Sequence, residues 1–66
     1  MNAYYLIDNE GQYLAGQMNV TTGRYRVWTQ TELCGWTFTF TDERKAVEFR
    51  NYVLYEFGTV LRVVRG

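Results

Sequence analysis

The stretch GWTFTFTDERKAVEF, residues 35–49, decides the fold because its periodicity changes halfway along. In its first half, large aromatic side chains alternate with threonine, a period of two that places them on one face of a β-strand. In its second half, apolar residues recur at intervals of three or four, as in an amphipathic helix. The stretch therefore predicts a strand over 36–40 that passes directly into a helix. The aromatic residues of this strand are Trp36, Phe38 and Phe40.

The predicted helix covers residues 42–57. Thr41 is expected to cap its N-terminus, and the carboxylates that follow suit the positive end of the helix dipole. Gly58 can take the left-handed conformation that ends a helix. Glu48 lies four residues after Arg44, which is the spacing of an exposed ion pair on a helix.

Four further segments have strand-forming composition: 3–7, 12–15, 24–30 and 59–65. The first two flank DNEG, whose acidic, amide and glycine residues favour a turn and so predict a hairpin. With the strand before the helix, the element order is ββββαβ. One amphipathic helix has one apolar stripe to bury, and a mostly antiparallel sheet has one face to offer it. The predicted fold is an α+β two-layer sandwich, a four- to five-stranded sheet with one helix on one face, in a single domain covering 1–66.

The helix stripe and the inward strand faces define a predicted core. Trp36 is included because it shares a strand face with two phenylalanines. On this assignment Trp36→Ala is expected to unfold or strongly destabilise the domain. Trp28→Ala, in contrast, is expected to leave the fold intact and to weaken partner binding. The predicted core residues are Leu6, Leu14, Val27, Trp36, Phe38, Phe40, Ala46, Phe49, Val53, Phe57, Leu61 and Val63.

The composition argues against several kinds of chemistry. The chain has no histidine, so neither a Ser-His-Asp nor a Cys-His arrangement can form. Cys34 is the only cysteine, which rules out an internal disulfide and leaves the usual zinc ligand set incomplete. Its thiol is expected to be half-buried and structural, with nothing close in sequence to lower its pKa. The sequence therefore predicts a non-enzyme with no catalytic residues, no cofactor and no metal.

The charge and hydropathy patterns restrict the surroundings and partners of the protein. Seven basic residues balance seven acidic ones, so no net field draws the chain to nucleic acid or to an anionic membrane. No apolar run is long enough to span a bilayer, and the first residues lack the pattern of a signal peptide. A single thiol is typical of reducing compartments. The chain is therefore expected to be cytoplasmic and to have no membrane partner.

Arginine and aromatic residues share one face of the predicted sheet. If Val27 faces the helix, then Arg24, Arg26 and Trp28 face the opposite side, and Arg62 of the last strand joins them. Three interpretations are open: the ordinary polar face of an antiparallel sheet, a protein interface rich in hot-spot residue types, or a platform for single-stranded nucleic acid. The neutral charge ranks nucleic acid below protein. Six Tyr, four Phe and two Trp in so short a chain also predict a homodimer.

The segments YYLIDNEGQYLAG, VWT, FTDERKAVEF and VLRVVR together resemble small uncharacterised proteins of bacteriophage genomes. Those proteins share an opening extended segment, an acidic-glycine turn, a Tyr-Leu pair, a Trp-Thr pair, and a Phe before a helix with an alanine in its first turns. The resemblance implies a phage or prophage context, in which small proteins often bind host proteins. The matching positions are Gly11, Tyr13, Leu14, Trp28, Thr29, Phe40 and Ala46.

The sequence therefore predicts a small non-enzymatic protein-interaction module. In a phage context it would be an accessory protein that binds and modulates a host protein. The predicted contact residues are Arg24, Arg26, Trp28 and Arg62. The alternative is a module that binds single-stranded nucleic acid with the same face.

Overall fold

The computed structural model describes residues 3–66. Four strands form one antiparallel sheet in the spatial order β3-β2-β1-β4, and one helix packs on one face of this sheet. This arrangement confirms the predicted α+β fold. The elements are β1 (Tyr4–Ile7), β2 (Tyr13–Met18), β3 (Tyr25–Gln30), α1 (Glu43–Phe57) and β4 (Arg62–Arg65). The prediction of a single domain over 1–66 includes Met1 and Asn2, which lie outside the described residues.

The β1–β2 hairpin is closed by the predicted turn. The Asp8 Oδ1 atom accepts hydrogen bonds from the backbone N–H groups of Glu10 and Gln12, both at 2.9 Å. Gly11 has a φ of 76°, a conformation that residues with a Cβ rarely adopt. The carboxylate and the glycine together reverse the chain direction between the two strands.

The strand β2 is longer than predicted, because it continues to Met18 and pairs with β3 along its whole length. Asn19 sets its end. The Asn19 side-chain oxygen accepts two backbone N–H groups of the following turn, at 2.9 and 3.2 Å. The Asn19 N–H donates to the carbonyl of Arg24 at 2.8 Å and closes the hairpin. Such local bonds are the physical reason that asparagine favours turns.

The helix α1 ends where the sequence predicts, but a different residue caps its start. Asp42, rather than Thr41, is the N-cap, and its carboxylate accepts the Arg44 N–H at 2.9 Å. The carboxylate both accepts a hydrogen bond and interacts favourably with the helix dipole. Gly58 ends the helix with a φ of 69°. The predicted ion pair between Arg44 and Glu48 is present, with 3.3 Å between its nitrogen and oxygen atoms.

Residues 37–40, which we call the wedge segment, do not form the regular strand predicted over 36–40. They make two isolated bridges, from Thr37 to Ala15 of β2 and from Phe40 to Tyr4 of β1, both antiparallel. Since β1 and β2 are antiparallel to each other, a straight strand could run antiparallel to only one of them. The wedge segment therefore bends between its two bridges.

The wedge segment fills an opening between β1 and β2. These two strands pair directly only beside their turn, at Ile7 and Tyr13. Farther from the turn, the Phe38 N–H donates to a β2 carbonyl at 3.1 Å. Phe40 and Tyr4 exchange two backbone hydrogen bonds at 2.8 and 3.0 Å. The wedge segment thus supplies the hydrogen bonds that β1 and β2 cannot give each other.

The core lies between α1 and the sheet. Most of the predicted core residues contribute to it. Leu6, Leu14, Ala46, Val53 and Leu61 are buried, and Val27, Phe38, Phe40, Phe49 and Val63 are partly buried against them.

Two predicted core residues are exposed instead. Trp36 is 55% exposed and Phe57 is 42% exposed. Trp36 lies in the turn before the first bridge of the wedge segment, so the alternation that directs Phe38 to the core does not extend to it. Phe57 is the last residue of α1 and lines an open groove together with Tyr25 and Tyr52. The prediction that either side chain belongs to the core is wrong.

Phe49 joins α1 to the wedge segment and to β3 through ring contacts. Its ring centre lies 4.6 Å from that of Phe38 and 5.7 Å from that of Phe40. The distances from the Phe49 ring centre to those of Tyr25 and Tyr52 are 5.3 Å and 5.6 Å. Aromatic pairs of this kind contribute about 0.5–1.5 kcal/mol each beyond area burial. The cluster therefore holds the bent wedge segment under the helix.

We expect Gly16→Ala to destabilise the domain. A Cβ at this position would lie 2.9 Å from the Phe38 ring and would also collide with the Arg26 carbonyl of the neighbouring strand. Overpacking of this kind typically costs about 1–3 kcal/mol of unfolding free energy. The control is Gly35→Ala, because nothing lies within 4 Å of a Cβ there. Urea unfolding of both variants tests the prediction, and equal midpoints would contradict it.

Candidate protein-binding face

The sheet face opposite α1 carries aromatic and arginine side chains. Side chains of directly paired residues lie on the same face of a sheet, and they alternate along each strand. Leu6 and Leu14 belong to the core under α1, so their neighbours in the strands point the other way. We call this surface the outer face. Its residues are Tyr5, Ile7, Tyr13, Ala15, Gln17, Arg26, Trp28, Gln30, Arg62 and Val64.

Arg26 and Trp28 are in contact on the outer face. The guanidinium carbon of Arg26 lies 5.8 Å from the centre of the Trp28 ring, which is within cation–π range. The Trp28 Nε1–H group donates to the Gln30 Oε1 atom at 2.8 Å. Arg26 is exposed, whereas Trp28 is partly buried. The tryptophan is therefore held in one orientation by a cation on its ring and an amide at its edge.

Ala15 shows that the outer face forms a thin second apolar layer. Its side chain is 0% exposed although it points away from α1. Ala15 is paired with Trp28 on one side and bridged to Thr37 on the other. Ile7, which also points away from α1, is only 8% exposed. Larger side chains on the outer face therefore cover the small and aliphatic ones.

Two tyrosines extend the aromatic surface across β1 and β2. The rings of Tyr5 and Tyr13 meet edge to face, with centres 5.7 Å apart and planes at 76°. Tyr13 is paired with Gln30, two positions from Trp28, and such diagonal neighbours are within reach of aromatic side chains. We call Tyr5, Tyr13 and Trp28 the aromatic band. Alternation within the predicted hairpin places Tyr5 and Tyr13 on this face, although neither is among the four predicted contact residues.

Arg24, one of the four predicted contact residues, lies elsewhere. It precedes β3 and lines a groove of about 380 Å³ together with Tyr25, Tyr52, Glu56 and Phe57. These neighbours belong to α1 and to the α1-facing side of β3, so Arg24 is separated from the outer face. The simple alternation that grouped it with Arg26 does not hold, because Arg24 lies outside the regular strand.

Arg62 does point to the outer face, but at the far side of the sheet. It is paired with Ile7, and it lies in β4, the edge strand opposite β3. Two strands therefore separate it from the contact between Arg26 and Trp28. Of the four predicted residues, only Arg26 and Trp28 are brought into contact.

The loop after β3 is tied to the outer face by Gln30. Its side-chain amide donates to the Glu32 carbonyl at 3.0 Å, while its oxygen accepts from Trp28. Cys34 lies in this loop and is exposed, so the expectation of a half-buried thiol is wrong.

The pKa of the Cys34 thiol is lowered, chiefly because the Trp36 backbone N–H donates to its sulfur, at 3.3 Å. The Thr37 hydroxyl lowers the pKa further. Hydrogen bonds to sulfur favour the thiolate. These hydrogen bonds depend on the shape of the loop, so the lowered pKa of Cys34 does not follow from its neighbours in sequence.

In the part of the chain that the structure describes, no helix has the length and apolar character needed to cross a membrane. Within the same residues, no cluster of three or more side chains suited to metal binding is present. Comparison with protein-family models, with curated proteins and with solved structures found no match. The resemblance to bacteriophage proteins therefore stays a prediction.

Trp28→Ala is expected to lower the unfolding free energy more than Trp36→Ala does, which is the reverse of the order predicted from the sequence. Trp36→Ala should change the unfolding free energy by less than about 0.5 kcal/mol, as exposed positions usually do. Trp28→Ala should cost about 1–3 kcal/mol, because its partly buried ring covers Ala15. Urea unfolding measures both. Acrylamide quenching of tryptophan fluorescence reports the exposure of each ring in variants that keep a single tryptophan. Quenching should be stronger in Trp28→Phe, which keeps Trp36, than in Trp36→Phe, which keeps Trp28. Equal quenching would contradict the assignment.

The alkylation of Cys34 by iodoacetamide is expected to reach its half-maximal rate at a lower pH than alkylation of the unfolded chain. The lowered pKa gives more thiolate, the reactive form, at any pH below the ordinary thiol range. Thr37→Val should move the midpoint to higher pH, because a hydrogen bond to sulfur is lost. Thr31→Val, in the same loop, is the control. A Thr37→Val profile that coincides with the original would exclude this role of the hydroxyl.

Proposed function

We propose that this protein is a small non-enzymatic interaction module that binds another protein through its outer face. The observation that carries the proposal is the contact of the exposed Arg26 with the fixed ring of Trp28. Arginine, tryptophan and tyrosine are the residue types most enriched among binding hot spots. The outer face carries all three types, because Arg26 lies there beside the tyrosines and the tryptophan of the aromatic band.

The packing of Trp28 supports a preformed contact site. Its ring is already held by Arg26 and Gln30, so binding has little side-chain freedom to remove. Side chains that must be ordered on binding cost roughly 0.5–1.5 kcal/mol each, and a fixed ring avoids most of that cost. Arg26 is exposed, so its guanidinium can also interact with a carboxylate of a partner.

The biological context follows from the resemblance and from the thiol. In a phage or prophage setting, the proposed partner is a host protein whose activity the module alters. The free and exposed thiol of Cys34 suits a reducing compartment, and we place the protein in the cytoplasm on that ground. A homodimer is also proposed. Several large apolar side chains stay exposed in the single chain, among them Tyr55 at 87% and Val60 at 62%.

Single-stranded nucleic acid is the alternative ligand for the same face. The favouring observation is an arginine beside an aromatic ring of a sheet, since such rings can stack bases and such arginines can contact phosphates. The chain nevertheless has no net charge, and phosphate contacts usually make such domains basic. Binding to single-stranded oligonucleotides that weakens steeply with salt would favour this alternative over a protein partner.

The proposed function is tested with a charge reversal that leaves the core untouched. Arg26→Glu should weaken binding of a captured partner by about 30-fold, since hot-spot changes cost about 2 kcal/mol and 1.4 kcal/mol is tenfold. The control is Lys45→Glu, an exposed residue of α1. Partners are captured from bacterial lysate with the original chain, and the purified candidate is then titrated against all three proteins by calorimetry. A partner that binds Arg26→Glu as tightly as the original would refute the outer face as the contact site.

A further inference from the structure

The strand β3 forms an unprotected edge of the sheet. It is one of the two outermost strands, and within residues 3–66 no other segment pairs with its far side. Natural edge strands are usually shortened, bulged, or interrupted by proline or charge. The other edge, β4, has four residues and begins and ends with arginine. In contrast, β3 has six residues with Arg26 as its only charge, and it contains no proline and no positive φ.

The hydrogen bonds of β2 show which backbone groups of β3 point outward. The Gly16 N–H donates to Trp36 and the Leu14 carbonyl accepts from Phe38, so these two β2 residues bond away from β3. The intervening Ala15 must then bond to β3, through its partner Trp28. Bonding residues alternate along an antiparallel pair.

It follows that the inward and outward residues of β3 alternate. The backbone groups of Arg26, Trp28 and Gln30 bond to β2. Those of Tyr25, Val27 and Thr29 point away from the sheet. The outer edge thus presents alternating N–H and C=O groups from three consecutive outward residues, which is the arrangement that an added strand requires.

We infer that a second copy of this chain pairs with this edge, antiparallel β3 to β3, about a two-fold axis at Val27. In that register Val27 meets Val27 of the second copy, and Tyr25 meets Thr29 of the second copy. All of these residues are outward ones, so each pair exchanges two hydrogen bonds. The two sheets then join into one continuous sheet of twice the number of strands, with its helices on one side.

The side chains agree with this register. On the outer face, Arg26 of each copy lies opposite Trp28 of the other copy, so each guanidinium gains a second aromatic ring. An axis at Arg26 would instead place two like charges opposite each other, which is unfavourable. An axis at Val27 also pairs every residue from 25 to 29, and it leaves no outward residue of β3 unpaired.

A second copy fits the edge better than an unrelated extended peptide does. The edge is self-complementary about Val27, and the chain has no net charge, so two copies do not repel each other. Pairing about a two-fold axis is closed, because it uses the β3 edge of both copies and leaves only the arginine-flanked β4 edges at the ends. This inference gives the proposed homodimer its contact surface. Its hydrogen bonds come from backbone groups of β3, and its side-chain contacts include Arg26 and Trp28, which the proposed protein-binding site also uses.

Amide hydrogen exchange of the purified chain tests the inference without any substitution. The amides of Tyr25, Val27 and Thr29 should exchange at least about tenfold more slowly at roughly 1 mM than at roughly 20 µM protein, because mass action populates the dimer. The amides of Arg26, Trp28 and Gln30 are the internal control, since β2 protects them at both concentrations. Sedimentation over the same range should show a mass rising toward twice the 7.8 kDa of one chain.

Cross-linking tests the register. Val27→Cys in a Cys34→Ser background should oxidise to a disulfide-linked dimer, because Cα atoms of a hydrogen-bonded pair lie about 5.5 Å apart, within disulfide range. Arg26→Cys in the same background is the matched control. Position 26 of one copy lies two positions out of register from position 26 of the other copy. Their Cα atoms are therefore more than about 7 Å apart, and no disulfide should form.

Each contrary result has a definite meaning. A monomeric mass at the higher concentration, or protection at β3 only when an unrelated peptide is added, overturns the inference. A dimer whose Tyr25, Val27 and Thr29 amides exchange as fast as in the monomer places self-association elsewhere and also overturns it. Protection without the Val27→Cys cross-link overturns the axis at Val27. The Arg26→Glu titration measures binding of a captured partner, whereas the dimer is measured by the mass and amide exchange of the purified original chain, so failure of one is distinguishable from failure of the other.

Discussion

Residues 37–40 have to bond to two strands that run in opposite directions, and the rest of the domain is arranged around that constraint. A straight strand cannot satisfy both, so the segment bends between Thr37 and Phe40. A Cβ at position 16 would meet both the Arg26 carbonyl of β3 and the ring of Phe38 in the bent segment, so glycine suits this position. The bend also directs Phe38 and Phe40 against Phe49. The position of the helix on the sheet thus follows from how two antiparallel strands share one connecting segment.

Sequence periodicity predicted the parts of the fold that depend on local chemistry. The change of period within 35–49 located the helix, Gly58 marked its end, and the acidic-glycine turn gave the first hairpin. The N-cap was misplaced by one residue because Thr41 and Asp42 are both good caps. The wedge segment could not be predicted, since its shape depends on β1 and β2 diverging, which is a property of the sheet. The exposure of Trp36 has the same origin.

The candidate site could be predicted only in part, because some of its features depend on how the strands assemble into the sheet. Alternation within β3 correctly placed Arg26 and Trp28 together on the face away from α1. Alternation failed for Arg24, because this residue lies outside the strand. It also contains no information on strand order, so it could not show that Arg62 lies far from the contact between Arg26 and Trp28. Pairing between strands brings Tyr5 and Tyr13 together and joins them to Trp28. Cross-strand neighbours depend on register, which a single strand pattern does not contain.

The position of β1 in the middle of the sheet has a consequence for how the chain is made. Its backbone partners come from β2, from Phe40 and from β4, so its last bonds need residues that are translated some sixty positions later. The β2–β3 hairpin, in contrast, closes over a short loop and is complete early. While α1 is being synthesised, β1 therefore still lacks one neighbour along its whole length. We expect the nascent chain to hold a formed hairpin and an unfinished sheet until Arg65 has left the ribosome.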